Sequence, residues 1–177
     1  FALRLRIPAT ERLDQPRLRR WNLGLLLLLT LQLLYGALMA GHKAATMAPT
    51  WPTINGDWMP AHMWSGPGFW VHFIENTILI HFIHRGLAYL LLLGTLWWTW
   101  QLFKTPGTPL FRKWRRWPLL VICIQVLLGI LTVISSSGII PGHWGIFEWM
   151  AQLHQLTGML FLLSLVALYY LLGSRKA

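Results

Sequence analysis

The chain has 177 residues, of which 55% are hydrophobic and only 11% are charged, and its mean hydropathy is +0.51. This composition is too apolar for a soluble domain of the same length and predicts an integral membrane protein. Fifteen Lys and Arg residues against five Asp and Glu give a net charge of +10, but the basic residues are grouped between apolar segments. Membrane topology explains that grouping better than nucleic acid does, so no nucleic-acid partner is expected.

Four apolar segments are long enough to cross a bilayer as helices, which takes about 20 residues each. They cover approximately residues 21–40, 73–102, 117–135 and 147–172. These runs are too long, and alternate too little, to be barrel strands. The predicted fold class is an all-α integral membrane protein with four transmembrane helices in a bundle. We expect residues 1–20 to be a basic cytoplasmic segment, 21–172 the membrane domain and 173–177 a cytoplasmic tail.

The basic residues also predict the orientation of the chain. Six arginines precede the first apolar segment, five Lys and Arg residues lie between the second and third, and two follow the fourth. The other two connections hold one basic residue, Lys43. By the positive-inside rule both termini are cytoplasmic, and the long connection between helices 1 and 2 lies outside. The four tryptophans of this outer connection predict either an interfacial belt or a lid over a ligand.

The first and third apolar segments share a short pattern. Gln32-Leu-Leu-Tyr-Gly36 resembles Gln125-Val-Leu-Leu-Gly129, and each segment is followed by one that contains histidine. Two hairpins in the same orientation are the simplest interpretation, and membrane proteins often build a site where such repeats meet.

Ionisable residues in the apolar segments are candidates for function, because each costs about 2.5 to 3.5 kcal/mol near the bilayer centre. The second segment holds His81, His84 and Arg85, and the fourth holds His154. His84 and His154 are expected at similar depths on facing helices, as a bis-histidine haem requires. His81 and His84, three residues apart on one helix, do not make such a pair, although they could share a smaller metal ion. The alternative is that each histidine is a hydrogen-bonded packing residue.

Two cations near the outer end would suit the propionates of a haem. Arg85 follows His84 directly, and Lys43 lies in the outer connection. The single cysteine, Cys123, excludes an intrachain disulfide, and we expect it to be packed as a small hydrophobic residue.

Several motifs in order resemble the heme A synthase family over residues 16–172. They are Gly36-Ala-Leu-Met-Ala-Gly41 ahead of PTWPTINGDWMP, Glu75-Asn76, Phe82-Ile83-His84-Arg85 with Ala88-Tyr89, Gln125-Val-Leu-Leu-Gly-Ile-Leu-Thr132, and Leu153-His154-Gln155. Members of that family have two similar four-helix halves, and this chain is similar to the carboxy-terminal half.

The resemblance implies that His84 and His154 hold a haem b, while the amino-terminal half oxidises a ring methyl of haem O to the formyl group of haem A. The catalytic glutamate of that other half is matched here by His81, so the catalytic residue is not expected in this chain. The implied setting is the bacterial cytoplasmic membrane. Implied partners are membrane lipid, the amino-terminal half or other copies of the chain, and haem O synthase or a terminal oxidase.

Three functions remain open at this point. The chain is the cofactor half of a haem-modifying oxidoreductase, a membrane cytochrome b-like electron-transfer subunit without its own substrate, or a structural subunit whose histidines only pack. Loss of haem on replacing His154 separates the first two from the third.

Overall fold

The computed structural model describes residues 7–65 and 68–174, with the Phe69 side chain excepted. Within these ranges the chain is helical, with α1 (Pro16–Gly41), α2 (Phe69–Glu75), α3 (Thr77–Lys104), α4 (Pro109–Trp114), α5 (Trp117–Ser135) and α6 (Ile146–Leu171). Four spans are long and apolar enough to cross a membrane, and they contain α1, α3, α5 and α6. The predicted all-α fold with four membrane-length helices is confirmed, whereas the orientation stays a prediction.

The predicted start of the second apolar segment, at about residue 73, is too early for the long helix α3. This segment was expected to run unbroken from residue 73, but α2 ends at Glu75 and α3 starts at Thr77. Asn76 causes the break, because its side-chain oxygen accepts hydrogen bonds from the backbone N–H groups of Ile78 and Leu79, both at 3.0 Å. Asn is among the best residues for capping a helix start in this way.

Asn76 also ties the outer connection to the start of α3. Its side-chain nitrogen donates towards the carbonyls of His62, Met63 and Ser65 at 3.1, 3.4 and 3.2 Å. One polar residue at the mouth of an apolar helix therefore accepts from two orphan helix donors and shares its two N–H groups among the loop carbonyls. The helix and the loop above it are positioned together.

The four long helices form a closed ring of neighbours. α1 packs along α3 and α5 along α6, and the two pairs join through α1 with α6 and α3 with α5. In this arrangement α3 and α6 lie diagonally across the bundle. Side chains on these two helices can therefore approach the bundle interior from opposite sides.

The bundle is filled at one end and hollow at the other. The buried core lies at the end of the bundle formed by the first halves of α1 and α5 and the second halves of α3 and α6. Its residues include Leu18, Trp98, Leu102, Val121 and Leu168. The hollow end lies beneath the connection from α1 to α2.

The prediction for Cys123 is wrong. This residue was predicted to be packed, but it is exposed on the outer surface of α5. Nearly every residue of this helix is apolar, so hydropathy does not tell which face turns inward. Position 123 is instead on the face that would contact lipid.

Candidate functional site

A cavity of about 420 Å³ occupies the hollow end of the bundle. This volume falls within the range of about 300 to 1,000 Å³ that is typical of small-molecule and cofactor sites. All four long helices line it, and Ala45 and Trp51 of the outer connection close one side. Its wall is mainly apolar, with a few polar side chains at defined places: Gln32, His81, His84, Arg85, Tyr89, Gln125, Thr132, His154 and Gln155.

His84 enters the cavity from α3 and meets Gln32 of α1. The side-chain nitrogen of Gln32 lies 3.2 Å from Nδ1 and 3.1 Å from Nε2 of the imidazole. Behind the ring is Gly36, one turn beyond Gln32, where an added Cβ would sit 3.5 Å from Cε1 of His84. Gln32 and Gly36 of α1 thus both contact this imidazole.

His154 enters from α6 and meets the equivalent residues of α5. Its Nδ1 lies 3.0 Å from the backbone carbonyl oxygen of Gln125, to which it donates, and its Nε2 lies 3.4 Å from the Gln125 side-chain nitrogen. Gly129 stands behind the ring, where an added Cβ would be 3.0 Å from Cε1. Because Nδ1 carries the proton, Nε2 presents its lone pair, which is the form of histidine that ligates metals.

The predicted pair therefore meets in one cavity. His84 and His154 belong to diagonally opposite helices and both line the same space. The two copies of the repeated Gln-x3-Gly pattern make equivalent contacts. Gln and Gly of each copy contact the histidine of the next long helix, His84 of α3 or His154 of α6. Gln32 and Gln125 were not among the predicted site residues, although the repeated pattern was the signal that could have indicated them.

His81 is fully buried on α3 and faces the outer connection through Arg85. Its Nε2 accepts a hydrogen bond from Nε of Arg85 at 3.0 Å, and its Nδ1 has no protein partner. Within residues 7–65 and 68–174 no group of three or more His, Cys, Asp or Glu side chains is arranged to hold a metal ion. Among the described residues, no further His, Cys, Asp or Glu side chain is therefore placed to bind a small metal ion together with His81 and His84.

Arg85 fastens the outer connection to α3. Its terminal nitrogens donate to the carbonyls of Thr50 at 2.6 Å, Thr53 at 3.0 Å and Pro52 at 3.2 Å. The neighbouring Trp51 lines the cavity, so this bonded segment forms part of the cavity wall. A role for Arg85 towards an anionic ligand stays a prediction, and in this conformation the guanidinium is bonded to the loop.

The remaining predicted residues lie further out. Lys43 is exposed, has a left-handed backbone conformation with φ of 51°, and is not among the cavity-lining residues. Trp58, Trp64 and Trp70 are exposed by 69%, 57% and 79%, as residues of an interfacial belt would be. Trp51 is exposed by 45% and is the one of these four tryptophans that lines the cavity, and the belt and lid roles both stay predictions.

We expect Gly129→Ala to displace the His154 ring. The new Cβ would come within 3.0 Å of Cε1, and overpacking of this kind costs about 1 to 3 kcal/mol. Thermal unfolding in detergent should show a lower Tm than the wild type. Gly86→Ala on α3 is the matched control, because its Cβ would meet nothing within 4 Å and its Tm should not fall. Equal Tm values for the two variants would contradict the tight contact at His154.

Fold and cavity together define a class of protein: an all-α membrane protein in which two histidines from opposite helices face one interior cavity. The sequence model of the cytochrome oxidase assembly protein family (COX15-CtaA) matches residues 1–166. The chain belongs to the heme A synthase family.

The relatives matched are considerably longer than this chain. It is 36% identical over 127 residues to heme A synthase of Paracoccus denitrificans, covering 72% of this chain and 33% of the relative. It is 31% identical over 169 residues to heme A synthase of Sphingopyxis alaskensis, covering 91% and 42% respectively. For heme A synthase of Bradyrhizobium sp. (strain BTAi1) the identity is 32% over 165 residues, covering 92% and 43%. The chain thus spans about a third to two fifths of the length of these relatives, and no solved structure matches it.

Proposed function

We propose that this chain is the haem b half of a heme A synthase, in which His84 and His154 are the two axial ligands. The observation that carries the proposal is the position of the two imidazoles, which line one apolar cavity from diagonally opposite helices. A bis-histidine haem needs ligands that approach its iron from opposite faces. Two residues of one helix would not supply them.

The residues around the cavity fit such a group. His154 already gives its Nδ1 proton to a backbone carbonyl, which leaves Nε2 for a metal. Gly36 and Gly129 leave room beside the two rings, and Gly158 does the same beside the Gln125 side chain. The side-chain oxygens of Gln32 and Gln125 are buried without a partner, so the polar inventory of the cavity is incomplete in the protein alone.

Haem b bound here would supply one-electron transfer, whose potential depends on the axial ligands and on their hydrogen bonds. The chain's own residues hold the group, exclude water through the apolar wall, and close the outer side with the segment that Arg85 fastens. Arg85 and Lys43 are the proposed partners of the propionates, as basic residues near the outer end of the site. Residues 21–172 form the proposed haem-binding membrane domain, with 1–20 and 173–177 on the cytoplasmic side of the bacterial membrane.

In the proposed reaction haem O is the substrate and its ring methyl becomes the formyl group of haem A. This chain supplies no carboxylate to that chemistry, because the position of the catalytic glutamate is taken by His81, which accepts a hydrogen bond from Arg85. The substrate side belongs to an amino-terminal half or to another copy of the chain. Haem O synthase and the terminal oxidase are the proposed partners, the first for delivery of haem O and the second for use of haem A.

A chimera tests this function. The segment of Sphingopyxis alaskensis heme A synthase that corresponds to residues 16–174 is replaced by these residues, and the chimera is produced in a bacterium that makes haem O but lacks its own heme A synthase. We expect extracted haem to contain haem A. The same chimera with His84→Ala is the control and should yield haem O but no haem A.

The alternatives give different results in the same experiment. An electron-transfer subunit without its own substrate would give a chimera that binds haem b yet leaves haem O unconverted. A structural subunit would give a folded chimera whose spectrum does not change on replacing His84. Either result would overturn the proposed function.

A further inference from the structure

His81 is a fully buried histidine of α3, and its hydrogen bond with Arg85 defines its tautomer. Nε2 of His81 accepts a hydrogen bond from Nε of Arg85 at 3.0 Å. Arginine is always protonated in proteins, so Nε2 of His81 is the acceptor and carries no proton. The proton of the neutral imidazole is then on Nδ1. His81 therefore has one remaining N–H donor, and this donor has no hydrogen-bond partner among the described residues.

The unpartnered N–H of His81 adjoins the cavity. Buried polar groups without a partner are rare in folded proteins, because the chain, water or a ligand usually satisfies them. His81 is among the residues that line the cavity, and it precedes His84 by three residues, which is about 4.5 Å along α3 towards the outer connection. We therefore expect the acceptor for this N–H to belong to a molecule at the outer end of the cavity.

Arg85 has little capacity left to bind such a molecule itself. A guanidinium carries five N–H groups. Nε of Arg85 donates to His81, and its terminal nitrogens donate to three carbonyls of the outer connection, those of Thr50, Pro52 and Thr53. Four hydrogen bonds to the protein thus occupy the guanidinium. Its positive charge nevertheless adjoins the cavity, because Nε is in contact with the His81 ring.

A carboxylate is the group that suits this donor best. The guanidinium polarises the imidazole from its Nε2 side, and a hydrogen bond to an ionised acceptor is shorter and stronger than one between neutral groups. Among the described residues no Asp or Glu side chain lines the cavity, so the chain itself offers no carboxylate to His81. A water molecule would use the N–H of His81 but not the neighbouring charge of Arg85.

We propose that His81 is a carboxylate-binding residue of the cavity: its Nδ1–H donates to a propionate of the bound haem, and Arg85 contributes its charge through the His81 ring. The inference rests on the proposed function, since it names a contact for one group of the proposed cofactor. It assigns different contacts to the two side chains, because Arg85 stays bonded to the outer connection while His81 contacts the ligand.

The test compares haem b with its dimethyl ester, in which both propionate carboxylates are blocked. Protein produced in a bacterium that cannot synthesise haem is purified in detergent and titrated with each compound, and absorbance gives the two dissociation constants. Their ratio, ester over free acid, measures recognition of the carboxylates, and comparing this ratio between variants removes the effect of detergent partitioning. We expect His81→Leu to lower the ratio about tenfold relative to the wild type, because one charge-assisted hydrogen bond is lost.

Two further variants are the controls. His81→Gln should keep a ratio close to that of the wild type, because a glutamine amide can accept from Arg85 and donate to the ligand at the same time. His62→Leu makes the same change at an exposed histidine that does not line the cavity, and it should keep the wild-type ratio. The proposal is overturned if His81→Leu keeps the wild-type ratio, or if His81→Gln loses it as fully as His81→Leu.

A measurement on the wild-type protein decides the matter if His81→Leu does not accumulate as folded protein. Protein whose histidines carry a nitrogen isotope label is loaded with cobalt(III) protoporphyrin, which is diamagnetic, or with its dimethyl ester, and is examined by NMR spectroscopy. The Nδ1 proton of His81, assigned through its loss in His81→Gln, should move downfield with the free acid only. Equal shifts with the two compounds would overturn the role of His81. A wild-type protein that binds neither haem b nor its ester would instead overturn the proposed function.

Discussion

Replacing either cavity histidine by alanine should abolish haem binding almost completely. His84 and His154 are the only histidines proposed as iron ligands, and each variant leaves one face of the site without a strong donor. The measurement is the haem content of protein purified in detergent, taken from the pyridine spectrum and divided by protein concentration. Content near background is expected for both His84→Ala and His154→Ala.

The control for this pair is His143→Ala. His143 lies in the turn before α6, is exposed, and does not line the cavity, so its replacement should leave the haem content at the wild-type level. Thermal unfolding of all three variants separates loss of haem from loss of fold. Wild-type haem content in His154→Ala would contradict ligation by this pair and would indicate that both histidines are packing residues.

Arg85→Leu should release the outer connection from the bundle. Arg85 donates to three loop carbonyls and to His81, and the leucine side chain can replace none of these bonds. A hydrogen bond to a charged group contributes about 1.5 to 3 kcal/mol, and a half-buried guanidinium contributes less. We therefore expect the segment around residues 50–53 to lose about 3 kcal/mol of local stability in total.

Hydrogen exchange measured by mass spectrometry reads this loss directly. Peptides that cover residues 44–65 should exchange faster in Arg85→Leu, while peptides from α5 keep the wild-type rate. Arg112→Leu on α4 is the matched control, because this arginine is exposed and far along the chain from the connection. If exchange in 44–65 does not differ between the two variants, Arg85 is not what holds the connection in place.

Hydropathy was sufficient to predict the four long helices, because about twenty apolar residues leave a chain few other options in lipid. It also indicated that His84 and His154 face the bundle interior, where both line one cavity, since polar residues inside such helices turn inward. Both inferences depend on local composition and on helix geometry. Neither needs the conformation of a loop.

The features that the sequence did not predict depend on contacts between distant residues. The break at Asn76 stands inside a run that reads as continuous, and it becomes visible only with the carbonyls of residues 62–65 around the side chain. The hydrogen bonds of Arg85 to the carbonyls of Thr50, Pro52 and Thr53 depend on the path of the outer connection, which hydropathy does not predict.

The most direct test of the account is an absorbance spectrum of the detergent-purified protein, oxidised and then reduced with dithionite, followed by extraction into pyridine to identify the haem. A bis-histidine site between His84 and His154 predicts sharp low-spin bands and a b-type pyridine spectrum. A folded protein without these bands would contradict the haem assignment and leave the cavity histidines as packing residues.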